Sequence, residues 1–245
     1  MTIYDFDQWI RGIMDFSIPD KSLNGLQVGQ LSKPIKHIAF ALDACQASFS
    51  LAQKADLLFV HHGLFWGETR IDDQLAMYPR IQSLVDHDLA LYAVHLPLDM
   101  ASGIGNNSAL AQKAGLLNLE PFAKIGLIGD LPSPISTQDL AYKVFHPYPH
   151  DIWPHHSDAI TRLAIVSGGG ARESFVQEAI NRGANGYLTG ELNHQIYHYT
   201  SELYLSVIAG GHYWSEFIGL QHFASVVAKQ FPDLTISIYD LPTGC

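Results

Sequence analysis

Thirteen histidines stand in a chain of 245 residues that carries only 14 lysines and arginines together, and imidazole in such supply prompts a search for metal ligands. His61-His62 directly follow the apolar run Leu57-Leu-Phe-Val60 and precede Gly63, the pattern of a strand that ends in a loop. Neighbouring side chains on an extended backbone point apart, so two imidazoles there can turn toward two different ions; the plainer reading is one solvent-facing and one packed histidine. Asp99 lies beyond the next apolar run, in His95-Leu-Pro-Leu-Asp99, where a carboxylate can bind one cation, bridge two, or merely cap the turn near Gly103. The third element, His212-Tyr-Trp-Ser-Glu216, follows Gly210-Gly211, and its i, i+4 spacing puts imidazole and carboxylate on one helical face or across a helix start. Taken alone, Glu216 would only complement a helix dipole. Recurrence argues for more: His61, His62, Asp99, His212 and Glu216 all fall just past the C-terminal ends of expected strands, where parallel α/β sheets gather their ligands. Five nitrogen and oxygen donors without a thiolate suit two divalent ions better than a structural zinc.

Other groups rank below these. Gly190-Glu191-Leu-Asn193-His194 occupies the position in the second half that His61-His62 hold in the first, which makes Glu191 and His194 candidates for substrate contact or proton transfer; an acidic helix start with an Asn cap is the plainer account. His95 and His194 are the candidates for general acid and base. His146, His150, His155 and His156 sit in a Pro-rich stretch that reads as a solvated loop. Gly168-Gly-Gly170 reads either as a phosphate-receiving turn or simply as a tight one. Cys45 reads as a buried structural thiol.

The elements that must position these residues alternate. Ile3, Phe6, Trp9, Ile10 and Ile13 make a helical stripe behind Thr2, a plausible N-cap. Strand-like runs at 38–42, 57–60 and 89–94 enclose helical stretches at 44–54 and 74–87, and Asn106 or Asn107 is expected to cap a helix to Ala114. The second half repeats the grammar, with strands at 163–166, 187–189 and 203–209, helices at 171–181 and 193–199, then a helix at 215–230 and a closing strand at 235–239. Pro132 to His156 reads as loop or hairpin. The expected fold class is therefore α/β, two related units with mixed, mostly parallel sheets. Residues 1–124 plus 208–245 are expected to form the first domain and 125–207 the second.

Composition narrows the class of function. A net charge of −10 would repel a phosphate backbone, so nucleic acid is a poor partner. No stretch approaches the ~20 apolar residues of a membrane span. With two cysteines and no basic, apolar leader, a cytoplasmic location is expected.

At these residues the chain resembles the dinuclear metal-binding family of GTP cyclohydrolase 1 type 2 homologues, also known as Ngg-interacting factor three-like proteins, over nearly its whole length. The carriers are Asn24-Gly-Leu-Gln-Val-Gly29, Ala55-Asp-Leu-Leu-Phe-Val-His-His-Gly63, His95-Leu-Pro-Leu-Asp99 with Gly103-Ile-Gly-Asn-Asn107, Thr189-Gly-Glu-Leu192 leading to His194, and Gly210-Gly-His-Tyr-Trp-Ser-Glu216. The resemblance implies that His61, His62, Asp99, His212 and Glu216 bind a pair of metals, and that six chains form a toroidal homohexamer with the sites facing an internal cavity. Many relatives have Thr-Asn where this chain has Leu96-Pro97, and 245 residues correspond to the compact form without an inserted middle domain. The expected function is a di-metal hydrolase acting through metal-activated water on a small polar substrate, a nucleotide or cyclic amide among the candidates; iron, manganese and zinc all suit the donors. The competing class is a non-catalytic metal carrier or a ring-shaped scaffold.

Overall fold

Thr2 caps the first helix reciprocally: its hydroxyl accepts from the Asp5 amide, and the Asp5 carboxylate accepts from the Thr2 amide. Such a capping box contributes about 1 kcal/mol. The protein is described here by a computed structural model that covers residues 1–67, 70–72, 76–155 and 159–244. In chain order its elements are α1 (Ile3–Ile13), β1 (Gly25–Val28), β2 (His37–Asp43), α2 (Gln46–Leu51), β3 (Leu57–His62), α3 (Met77–Asp86), β4 (Ala90–Ala93) and α4 (Leu96–Met100). Then follow α5 (Asn106–Ala114), β5 (Leu117–Phe122), β6 (Gly126–Ile135), α6 (Thr137–Phe145), β7 (Asp151–Trp153), β8 (Ile160–Val166), α7 (Glu173–Asn181), β9 (Gly186–Thr189), α8 (His194–Glu202), β10 (Ser206–Ala209), α9 (His212–Gln230) and β11 (Thr235–Ile238).

The chain divides into two compact units, Met1–Ala101 with Leu220–Leu241, and Ser102–Gly219 with Pro242–Cys245. In the first, a five-stranded sheet has the order β1-β4-β3-β2-β11, parallel except where β1 meets β4. Its strands bury both faces, as crossover helices require. Phe40, Phe59 and Tyr92 join Phe6, Trp9, Phe223 and Phe231 in an aromatic cluster on one side, with Phe40 and Phe59 centroids 5.1 Å apart. Ala39, Ala41, Leu58, Val60 and Leu91 alternate with them and pack with Phe49, Ala52 and Leu84 on the other.

The second unit holds a six-stranded sheet ordered β5-β6-β8-β9-β10-β7. Its centre, β8-β9-β10, is parallel like β2-β3-β4, and antiparallel partners flank it on both sides. The α/β class, with two mixed sheets and a shared three-strand parallel core, is the expected one. The division of the chain falls elsewhere: residues 102–124 and 208–219 lie in the second unit because β5 pairs with β6, and β10 runs between β9 and β7.

Three local expectations change. The stretch from Pro132 to His156 carries the end of β6, the whole of α6 and β7; Ser136 caps α6 by accepting from the Asp139 amide, and Leu140, Ala141, Val144 and Phe145 bury its apolar face. Asn106 and Asn107 are the first residues inside α5 rather than its cap, a place taken by Gly105. The Asn107 amide is used across the unit instead, accepting from Ser167 N at 2.8 Å and donating to the Ile125 carbonyl at 2.8 Å. Finally α9 begins at His212, so Gly210 and Gly211 alone form the corner after β10. Gln74, expected in a helix, and His156 lie outside the described residues.

Candidate metal centre

In the first unit, β3 delivers His61 and His62 to the C-terminal edge of the sheet. Their rings do not point fully apart: the centroids are 4.6 Å from each other with the planes tilted 48°. The reason lies in the flanking strands. His61 Nδ1–H donates to the Val94 carbonyl beyond β4 at 2.9 Å, while His62 Nδ1–H donates to Asp43 at the end of β2 at 2.8 Å. The parallel register that pairs Asp43 with His62 builds the second contact into the sheet. Each ring is thereby turned toward the strand end from its own side.

His95 joins them. It precedes α4, its ring centroid lies 5.0 Å from that of His61, and its Nδ1–H donates to Asp20 at 3.0 Å. One ligand atom from each of His61, His62 and His95 lies within 4.8 Å of the others. Asp99, buried on α4, places Oδ2 3.7 Å from His61 Nε2. Asp20 is the electrostatic anchor of this side. Burial opposes its charge, yet hydrogen bonds from His95, Asn24 and the Ser22 amide, with the charge of His95, hold its carboxyl well below the usual range.

The second unit brings together His212, Glu216 and Glu191. His212 opens α9, and one helical turn later Glu216, 3% exposed, sets Oε1 at 3.3 Å from His212 Nε2. Glu191, in the corner after β9, accepts from His212 Nδ1–H at 2.5 Å. Hydrogen bonding to Glu216 outweighs the cost of burial, and the charges of Glu216 and Glu191 add to it, so the imidazole is pushed up to about 10 from 6.5. Gly168 ties the three corners of this unit. Its amide donates to Ser215 on α9, and its carbonyl accepts from the Gly190 and Glu191 amides. A Cβ on Gly168 would run into the Glu216 carboxylate, so the glycine leaves the space that carboxylate occupies. The triple glycine is thus a tight turn whose Gly168 and Gly170 amides are already bonded within the unit.

A common rule emerges across both units. His61, His62, His95 and His212 each donate through Nδ1, to a main-chain carbonyl in the first case and to Asp43, Asp20 and Glu191 in the others. That fixes the tautomer of the first and makes Nε2 the ring atom each would offer to a metal, the arrangement that orients histidines toward metals; at His212 a metal would take the place of the Nε2 proton that faces Glu216. The histidines of the first unit with buried Asp99, and His212 with buried Glu216 in the second, are each groups that could hold a divalent ion; their nitrogen and oxygen donors fit iron, manganese or zinc.

His194 is exposed at the start of α8, its ring centroid 6.4 Å from that of His198, and it belongs to none of the potential ligand groups among the described residues. His146 stacks on Tyr142, His150 donates to the Tyr148 carbonyl, and His155 sits edge-on to Tyr197. Cys45 is the half-buried residue before α2. Sequence reasoning passed over Asp20, Asp43 and the steric role of Gly168, and gave Asn24 only as part of the resemblance, without a role. Asp43 alone had a signal, since it too ends an apolar strand.

The Duf34/NIF3 (NGG1p interacting factor 3) family model matches residues 1–243. The chain belongs to this family. It is 35% identical to the "GTP cyclohydrolase 1 type 2 homolog" of Treponema pallidum, covering 100% of both chains, and 38% identical to that of Pyrococcus abyssi, covering 93% of each. Among solved structures, protein ybgI, of unknown function, superposes with a TM-score of 0.90 at 27% identity over 100% of both chains. No helix among the described residues of this NIF3 chain is long and apolar enough to cross a membrane.

Proposed function

We propose that His61, His62, Asp99, His212 and Glu216 together hold two divalent ions, and that the protein is a metal-dependent hydrolase of a small polar substrate. The observation that carries this reading is the orientation of His61, His62, His95 and His212 through Nδ1, three of them by carboxylates. Carboxylates such as Asp43, Asp20 and Glu191 on Nδ1 are the outer partners that orient ligand histidines and raise their basicity. The two ions, when bound, would polarise a substrate oxygen and lower the pKa of a water so that it attacks at neutral pH.

The chain's own residues supply the remainder. Asp99 and Glu216 contribute negative charge that offsets repulsion between two cations. His95, with Nδ1–H held by Asp20, keeps Nε2 to take or give a proton; His194, exposed at the start of α8, is the second group proposed for proton transfer. The name carried by the Treponema and Pyrococcus relatives makes nucleotides, with cyclic amides beside them, the substrates to try first. Six chains in a ring is the proposed assembly, and light scattering should give six times the 27.1 kDa chain mass; a monomer would contradict it.

The test is a turnover screen of protein loaded separately with iron, manganese and zinc against nucleotides and cyclic amides. Metal-dependent turnover that His95→Asn reduces by about 10²-fold or more supports the reading. Tight metal binding with no turnover of any compound would assign the protein to metal carriage instead.

A further inference from the structure

We propose that Trp66 is a fixed stacking platform for a planar, conjugated ring in the substrate, an inference that rests on the metal-hydrolase reading above. Trp66 lies four residues past His62, on the corner that leaves β3. The main chain of that corner is held on every side. Leu64 N donates to Gln27 Oε1 at 2.7 Å, Leu23 N to the Phe65 carbonyl at 3.0 Å, and Gly67 N to the Lys21 carbonyl at 2.9 Å. A Cβ on Gly63 would collide with the Gln27 amide and with Ala93, so the corner is closed tightly against its neighbours.

The indole is pinned as well. Its Nε1–H donates to the Gly63 carbonyl at 2.9 Å, and its ring meets His95 at 4.9 Å between centroids with a 73° angle and His62 at 6.1 Å. Trp66 is nevertheless 40% exposed. Folding ordinarily hides a large apolar ring or lets an exposed one move; here an ordered indole is held in contact with solvent beside His62 and His95 of the candidate metal centre. A ring already fixed costs little further entropy on binding, which is what a platform for a second ring requires. The same corner borders a cavity of about 370 Å³ lined by Asp20, Ser22, Leu23 and Phe65, large enough for the rest of such a molecule. Asp20 both lines that cavity and holds His95, so a ligand there lies next to the proposed centre.

Stacking on an aromatic side chain is worth about 1–3 kcal/mol by alanine substitution, which corresponds to about 5- to 140-fold in affinity. The probes are uridine and 5,6-dihydrouridine, which share sugar and ring carbonyls but differ in ring planarity. Calorimetric titration of the metal-replete protein should show uridine binding at least about fivefold tighter. Trp66→Ala should erase the preference, and Trp66→Phe should keep most of it. Equal affinity for the two nucleosides, no binding of uridine at millimolar concentration, or a preference that survives Trp66→Ala would overturn the proposal. So would dissociation of the oligomer by Trp66→Ala, which would make the indole a subunit contact. Trp66-dependent binding without turnover of any compound would leave the platform standing and remove the hydrolase; turnover confined to saturated rings would do the reverse.

Discussion

Replacing Gly168 by alanine separates the backbone of the second unit from its ligands. Gly168 adopts φ +60°, a left-handed conformation, and so does Gly183 at φ +77°, but a Cβ on Gly183 meets nothing within 4 Å. Left-handed backbone costs an L-residue about 1–2 kcal/mol. At ~2–4 °C per kcal/mol for a chain of this size, the backbone cost alone should lower the metal-free melting temperature by about 2–8 °C in Gly183→Ala and by at least as much in Gly168→Ala. Only Gly168→Ala adds a collision: its Cβ would overlap the Glu216 carboxylate and lie 3.1 Å from His212 Nε2, so both must shift. Displaced ligands should weaken metal binding by about 10- to 100-fold, the range found when the groups that orient ligands are removed. The assay pairs thermal unfolding of the chelator-treated variants with a competitive chelator titration. Gly183→Ala should lose stability and keep parental metal affinity; Gly168→Ala should lose both. Equal metal affinity in the two variants would refute the claim that Gly168 makes room for a ligand carboxylate.

Asp43→Asn keeps the shape of the group that orients His62 while removing its charge, and should lower the affinity of one ion about 10- to 100-fold with the fold intact; unchanged affinity would mean that the pair is only a surface contact. The raised pKa of His212 predicts a pH effect on the metal-free protein. Because its folded value of about 10 lies above 6.5, the clamp by Glu216 and Glu191 stabilises the fold fully below about pH 6.5 and loses that contribution as pH rises to about 10. The melting temperature should therefore fall more steeply over that window in the parent than in Glu191→Gln, and identical slopes would contradict the clamp. At pH 7, metal uptake should also displace the His212 proton, read as acid released into a weakly buffered solution.

The architecture was legible where periodicity spoke and obscure where partners decide. Leu57 to Val60 followed by two histidines read as a buried strand ending in a loop, and β3 runs from Leu57 to His62 with Leu57 to His61 buried. The stretch around Leu140 and Val144 hid a helix because prolines and histidines on either side drew the eye to turns, whereas α6 is set by the Ser136 cap and four buried apolar residues. Asn106 and Asn107 look like caps in isolation; only the fold reveals that Asn107 is needed by Ser167 and Ile125. Asp20 had no local signal, since its nearby partner Asn24 looks like an ordinary loop contact and the partners that give it a role, His95 and Leu96, come from a distant segment that shares no period with it.

The central claim is a pair of divalent ions on one chain, and elemental analysis tests it most directly. Chelator-treated protein, incubated with excess manganese, zinc or anaerobic iron and freed of loose metal, should retain close to two ions per chain. Retention of one ion or fewer with every metal would contradict the account.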